Sequence, residues 1–127
     1  MDDGLTALEI GGEGTAIATR VRSCLVITAP ADLGGRNLDM LEKVASDAMQ
    51  EPGTTSMVLE LSGVKLMDRH EYARIKRLLQ TAKFLGVEAM LVGLRPGIIA
   101  HLVQSDADLC GVHAALGLDD ALARLGS

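Results

Sequence analysis

Four consecutive residues, Asp68, Arg69, His70 and Glu71, carry the densest polar chemistry in the chain. They stand where an apolar-rich stretch breaks off and a helical pattern begins. An acid followed three residues later by Glu has the spacing of a capping box, in which each side chain accepts from the other residue's backbone N–H. That explains Asp68 and Glu71. It does not explain Arg69 and His70, because a cation in the first helical turn faces the positive end of the helix dipole, at a cost of roughly 0.3–1 kcal/mol. Two basic residues in that position suggest a purpose other than stability. The plain alternative is a helix start with charged decoration.

Charge is uneven beyond this point. Lys65, Arg69, Arg74, Lys76, Arg77 and Lys83 make up half of the 12 basic residues and fall within one helix and its approach. Asp39, Glu42, Asp47 and Glu51 give an earlier helix an acidic outer surface. Either these are two solvated faces, or a basic surface meets an acidic partner or a neighbouring copy's acidic helix.

Other candidate chemistry is thin. His70, His101 and His113 show no HxH or HExxH spacing, so no metal site is expected. Cys24 and Cys110 lie outside any CxxC spacing and give neither a disulfide framework nor a zinc motif. Cys24, within CLVIT, reads as a small core residue. GGEGTA (11–16) lacks the Lys and the strand-to-helix setting of a phosphate-binding loop. GLRPG (93–97) follows a strand and opens a helix, where N–H groups can meet an anion. Pro96 removes one of those donors, and a tight turn is the simpler reading. With no nucleophile–base arrangement in view, neither an enzyme nor a cofactor is expected.

The elements that must position these residues follow from periodicity. Residues 1–14 read as a flexible leader, with a short strand at 5–10. TAIATRV (15–21) and CLVIT (24–28), split by a short polar turn, suggest a hairpin. PADLGGR (30–36) is a loop. A helix is expected over 37–50, its apolar face formed by Leu38, Leu41, Val44, Ala45, Ala48 and Met49, with Asn37 as N-cap and EPG as the stop. SMVLELS (56–62) reads as a strand covered on both sides. A helix over 69–85 buries Tyr72, Ile75, Leu78, Leu79, Ala82 and Leu85 and closes at Gly86. VEAMLVGL (87–94) is another buried strand. Pro96 sits at the first position of a short helix. A short strand at 111–116 and a terminal helix capped by Asp119 finish the chain. Alternating βα units imply a largely parallel sheet packed with helices.

Composition narrows the function. The chain has 127 residues, enough for one domain with its own core. Aromatic residues amount to 2%, so base-stacking platforms cannot be assembled, and the net charge of −5 disfavours a phosphate backbone. Nucleic acid is therefore not expected as a partner. The apolar runs are too short to span a membrane, and the acidic start lacks the pattern of a signal peptide, so a cytoplasmic location is expected.

MVLELSGVKLMD (57–68), followed by an amphipathic helix ending TAKFLGVEAMLVGLRP, resembles a STAS domain. That family includes anti-sigma-factor antagonists and the cytosolic domains of sulfate transporters. FLGVEAMLVGLRPGIIAHLV (84–103) is most similar to antagonist-type subunits of the bacterial stressosome, where a G-[IL]-[RQ]-P turn recurs. The resemblance runs over about 15–125. It implies a single α/β domain at 15–127, with a mixed sheet (an N-terminal antiparallel hairpin plus parallel strands) covered by about four helices. It also implies protein binding. In such antagonists a Ser or Thr directly after the motif Asp is phosphorylated by a partner-switching serine kinase, changing the charge of the docking surface. Here that position is Arg69, and the second acceptor position of stressosome relatives, before the G-[IL]-[RQ]-P turn, is Val92. Neither accepts a phosphoryl group.

The resulting expectation is a non-enzymatic regulator, independent of phosphorylation at that site, whose partner-binding residues are Asp68, Arg69, His70, Glu71, Arg74 and Arg95. Its expected partners are related STAS subunits, a partner-switching serine kinase or anti-sigma factor, and further copies of itself as a dimer or larger homo-oligomer. Arg69 with His70 would grip an acidic or phosphorylated side chain. Another acceptor, such as Ser62, Thr54 or Thr55, is not singled out. The alternative is a STAS domain that senses a small ligand or nucleotide through GLRPG and helix N-termini.

Overall fold

Alternation along the strands decides the architecture. A computed structural model of the chain describes residues 5–9, 16–109 and 111–125, the first of these by backbone alone. Six strands lie side by side in sequence order: β1 (Leu5–Glu9), β2 (Ile17–Val21), β3 (Cys24–Thr28), β4 (Ser56–Glu60), β5 (Glu88–Val92) and β6 (Ala114–Ala115). β1, β2 and β3 pair antiparallel, and β3 to β6 pair parallel. The crossovers are α1 (Asn37–Met49), α2 (Arg69–Phe84) and α3 (Pro96–Gln104), and α4 (Leu118–Arg124) follows β6.

Successive strand residues point to opposite faces. Leu25 and Ile27, Met57 and Leu59, and Leu91 join the apolar faces of α1, α2 and α3 in one core. Cys24 and Val26, Val58, and Met90 with Val92 join Ala121 of α4 in a second. The mixed sheet, the antiparallel hairpin and the burial of the central strands on both sides are as the sequence implies.

Some local expectations change. The strand at Leu5–Glu9, read as part of a leader, pairs with β2, with Leu5 opposite Val21. Ile10 and the rest of the stretch up to residue 15 lie outside the described residues, as does Cys110. Asn37 is the first residue of α1 rather than its cap; its Nδ2 donates instead to the Asp32 carbonyl at 2.7 Å, and Arg36 holds the cap position without a side-chain bond. Gly117, not Asp119, precedes α4, which places Asp119 in the first turn.

Candidate functional site

The parallel strands β3, β4 and β5 end together at one edge of the sheet, and the loops that leave them form the site. The capping box at the start of α2 is complete. Glu71 N–H donates to Asp68 Oδ1 at 2.7 Å, and Asp68 N–H donates to Glu71 Oε1 at 2.9 Å. Asp68 itself is extended, at φ −89° and ψ 175°. The box fixes the first turn of α2, so Arg69 and His70 stand at its first two positions, both exposed.

The loop between β4 and α2 is held from two sides. Lys65 N–H donates to the Ala31 carbonyl at 3.3 Å, which ties the loop to the β3–α1 connection. On the other side Gly93, at φ +80°, packs against Ser62 so closely that a Cβ there would lie 2.8 Å from the Ser62 Cβ and 2.9 Å from its backbone nitrogen. Only glycine combines that conformation with that approach. Arg95 Nε then donates to the Ser62 carbonyl at 3.1 Å. Glu60, at the end of β4, accepts from both the backbone N–H and the hydroxyl of Ser62. The GLRP turn is thereby joined at Ser62 to the loop that leads into the DRHE stretch.

The six expected partner-binding residues do not share one surface. Asp68, Arg69, His70 and Glu71 form the first turn of α2, and Arg95 braces the loop leading into it. Arg74 turns the other way, toward α1. Its Nε donates to Glu42 Oε2 at 3.0 Å, and its Nη2 bonds both Glu42 and Asp39, the latter at 2.6 Å. The bond to Glu42, followed by that to Asp39, raises the guanidinium pKa further above its already high value. Part of the acidic face of α1 is thus met within the chain by α2. Lys76 is also engaged, with Asp108 at 3.0 Å.

Val92 is buried on the α4 side of the sheet, at 1% exposure. In the GLRPG turn, the space over Gly93 is filled by Ser62 and Pro96 contributes no N–H, which leaves little for an anion. Among the described residues no cluster of three or more His, Cys, Asp or Glu is placed to hold a metal, and no helix is long and apolar enough to cross a membrane.

Sequence reasoning did not single out the apolar rim. Leu66 is 82% exposed beside the α2 start, and Leu116 is 96% exposed just beyond β6. The β5–β6 register (Val92 opposite Ala115) places Leu116 level with Gly93. A leucine in a short loop gives no periodic signal, so only the fold reveals its exposure.

Comparison with known proteins agrees with this fold. The family model described as the STAS domain matches residues 15–121. The RsbT co-antagonist protein RsbRD of Bacillus subtilis is 31% identical over 70 residues, covering 55% of this chain and 25% of its own length. The chain therefore spans only a quarter of that relative. A serine-to-glutamate variant of Moorella thermoacetica RsbS has a TM-score of 0.74 at 19% identity, covering 86% of this chain and 92% of that one. A chain from the stressosome, described as a signal integration and transduction hub, has a TM-score of 0.71 at 19% identity, covering 86% and 95%. At these identities the structural likeness is one of fold. The chain belongs to the STAS domain family, and stressosome and anti-sigma-factor antagonist proteins are among its fold neighbours.

Proposed function

We propose that this protein is a non-catalytic, protein-binding regulator of the partner-switching or stressosome kind, held in one binding state because position 69 cannot be phosphorylated. One observation carries the reading: directly behind an intact Asp68 cap, where a hydroxyl residue would be the switch, the exposed side chain is Arg69. A guanidinium there offers a fixed positive charge and a bidentate grip on a carboxylate or phosphate of the partner. His70 stands beside it, and Leu66 supplies an apolar anchor next to the charge. Asp68, Glu71 and Arg95 hold this surface in shape, and Arg74 locks α2 onto α1 behind it.

The partners in this reading are related STAS subunits, a partner-switching serine kinase or an anti-sigma factor, together with further copies of the chain in a dimer or larger assembly. A cytoplasmic location goes with it. The test is affinity capture of the tagged protein from its own cells, with mass spectrometry of both partners and bait. Recovery of STAS subunits or a serine kinase on unphosphorylated bait, lost with Arg69→Glu, is the expected result. Phosphate on the bait within residues 54–71, or capture that Arg69→Glu leaves intact, would overturn it.

A further inference from the structure

We infer that a cleft at the opposite end of the sheet is a binding site for a small aliphatic carboxylate. The cleft has a volume of about 810 Å³ and is framed by the C-terminal half of α2, the start of β5, residues 111–113 and the end of α4. Ligand sites span roughly 300–1,000 Å³. It lies at the amino end of β5, whereas the docking surface proposed above lies beyond the carboxyl ends of the strands.

The cleft exists because β6 is short. β6 pairs only with Leu91 and Val92, and the Leu91 N–H donates to the His113 carbonyl at 2.9 Å. Strand alternation sends the N–H and C=O of Ala89 to that same side. Among the described residues neither is joined by a backbone bond to Gly111 or His113, so the β5 edge is open where Ala89 lines the cleft. A strand edge left open in this way offers a donor and an acceptor to whatever occupies the space.

Two struts keep the walls apart. Lys76 Nζ bonds both the carboxylate and the carbonyl of Asp108, each at 3.0 Å, which pins that segment against α2. Arg124 Nη1 donates to the Ala114 carbonyl at 3.2 Å, which holds the end of α4 beside β6.

The lining selects the ligand. Leu79, Val87, Met90, Val112 and Leu125 give apolar walls, and no Phe, Tyr or Trp lines the space, which favours a hydrocarbon body over a flat aromatic one. Lys76 is neutralised by Asp108, and Arg124 is paired with Asp120 at 3.4 Å. Lys83 has no ion pair among the described residues, and it shares the rim with His113, Arg124 and the opposing Glu88. A single ammonium without an ion pair suits a single negative charge better than a phosphate dianion. A hydrocarbon body with a carboxylate head satisfies both features.

The test is a titration of the isotope-labelled full chain, followed by amide NMR, with octanoate, decanoate and the uncharged decanol as probes. Saturable shifts centred on Ala89, Met90, Val112 and His113 are expected. Decanoate should bind about tenfold tighter than octanoate, since its two further methylenes are buried. Lys83→Glu should weaken decanoate roughly fivefold and leave decanol unchanged, because reversing an exposed charge acts only on the head group. Lys65→Glu, at the far end of the molecule, should change neither. The site is overturned if millimolar decanoate produces no saturable shifts at these amides. It is equally overturned if Lys83→Glu affects decanoate and decanol alike, or if Lys65→Glu weakens decanoate as much.

Discussion

At the scale of single residues, the start of α2 sets stability against binding. Asp68→Ala removes a bond to the Glu71 N–H, and loss of such a cap costs about 1 kcal/mol. For a domain of this size that lowers Tm by roughly 3–5 °C, readable by thermal unfolding. Arg69→Glu should act in the opposite sense. Placing an anion where the helix dipole is positive should raise stability by about 0.5 kcal/mol while abolishing partner capture. If the variant binds as before, Arg69 is only decoration. Cys24 gives a second residue-level prediction. Burial raises its thiol pKa above the ordinary 9.0, against smaller lowering effects from a hydrogen bond with Ser56 and the charge of Arg20. The fold therefore favours the neutral thiol. Its contribution is complete below pH 9.0 and is lost as pH rises through the folded value. Unfolding measured across that range should show the stability difference between wild type and Cys24→Ala shifting against wild type as pH climbs.

At the scale of elements, the contact between the GLRP turn and the β4–α2 loop is the tightest constraint. Gly93→Ala meets the Ser62 backbone as well as an unfavourable φ, and should cost about 2–4 kcal/mol. Gly86→Ala, also at positive φ (+77°) but with nothing within 4 Å, should cost only about 1 kcal/mol. Equal losses in denaturant unfolding would show that backbone conformation alone matters at Gly93. The α1–α2 lock calls for a double-mutant cycle on Arg74 and Glu42. Partial exposure and solvent screening limit the expected coupling to about 1 kcal/mol, declining with added salt. The helix and strand periodicities made all of these elements legible in advance. The lock was not, because charges on two helices separated by a strand carry no mark of which face meets which.

At the scale of the whole molecule, the exposed apolar side chains bear on assembly. Leu66, Leu116 and Phe84 are 82%, 96% and 94% exposed, while the core is closed and aliphatic. Large apolar groups left outside a filled core are candidates for burial against another chain. Under the proposed function, sedimentation velocity should resolve species heavier than the 13.3 kDa protomer, with Leu66→Asp shifting the distribution toward it. A single 13.3 kDa species at every concentration would remove self-association from the reading.

The order of strands and helices, the two-sided burial of β3, β4 and β5, and the capping box at Asp68 were all determined by the sequence itself. Each rests on a local pattern: near-continuous apolar runs in the central strands, a period of three to four in the helices, and i to i+3 in the cap. The replacement of a hydroxyl by Arg69 is equally a fact of sequence. Only the tertiary structure decided that Arg74 faces α1, that Gly93 and Arg95 brace Ser62, and that a two-residue β6 leaves the β5 edge open. Those depend on how strand ends and helix faces meet across more than 30 residues of chain, as in the Arg74–Glu42 and Arg95–Ser62 bonds, and no local spacing encodes such meetings.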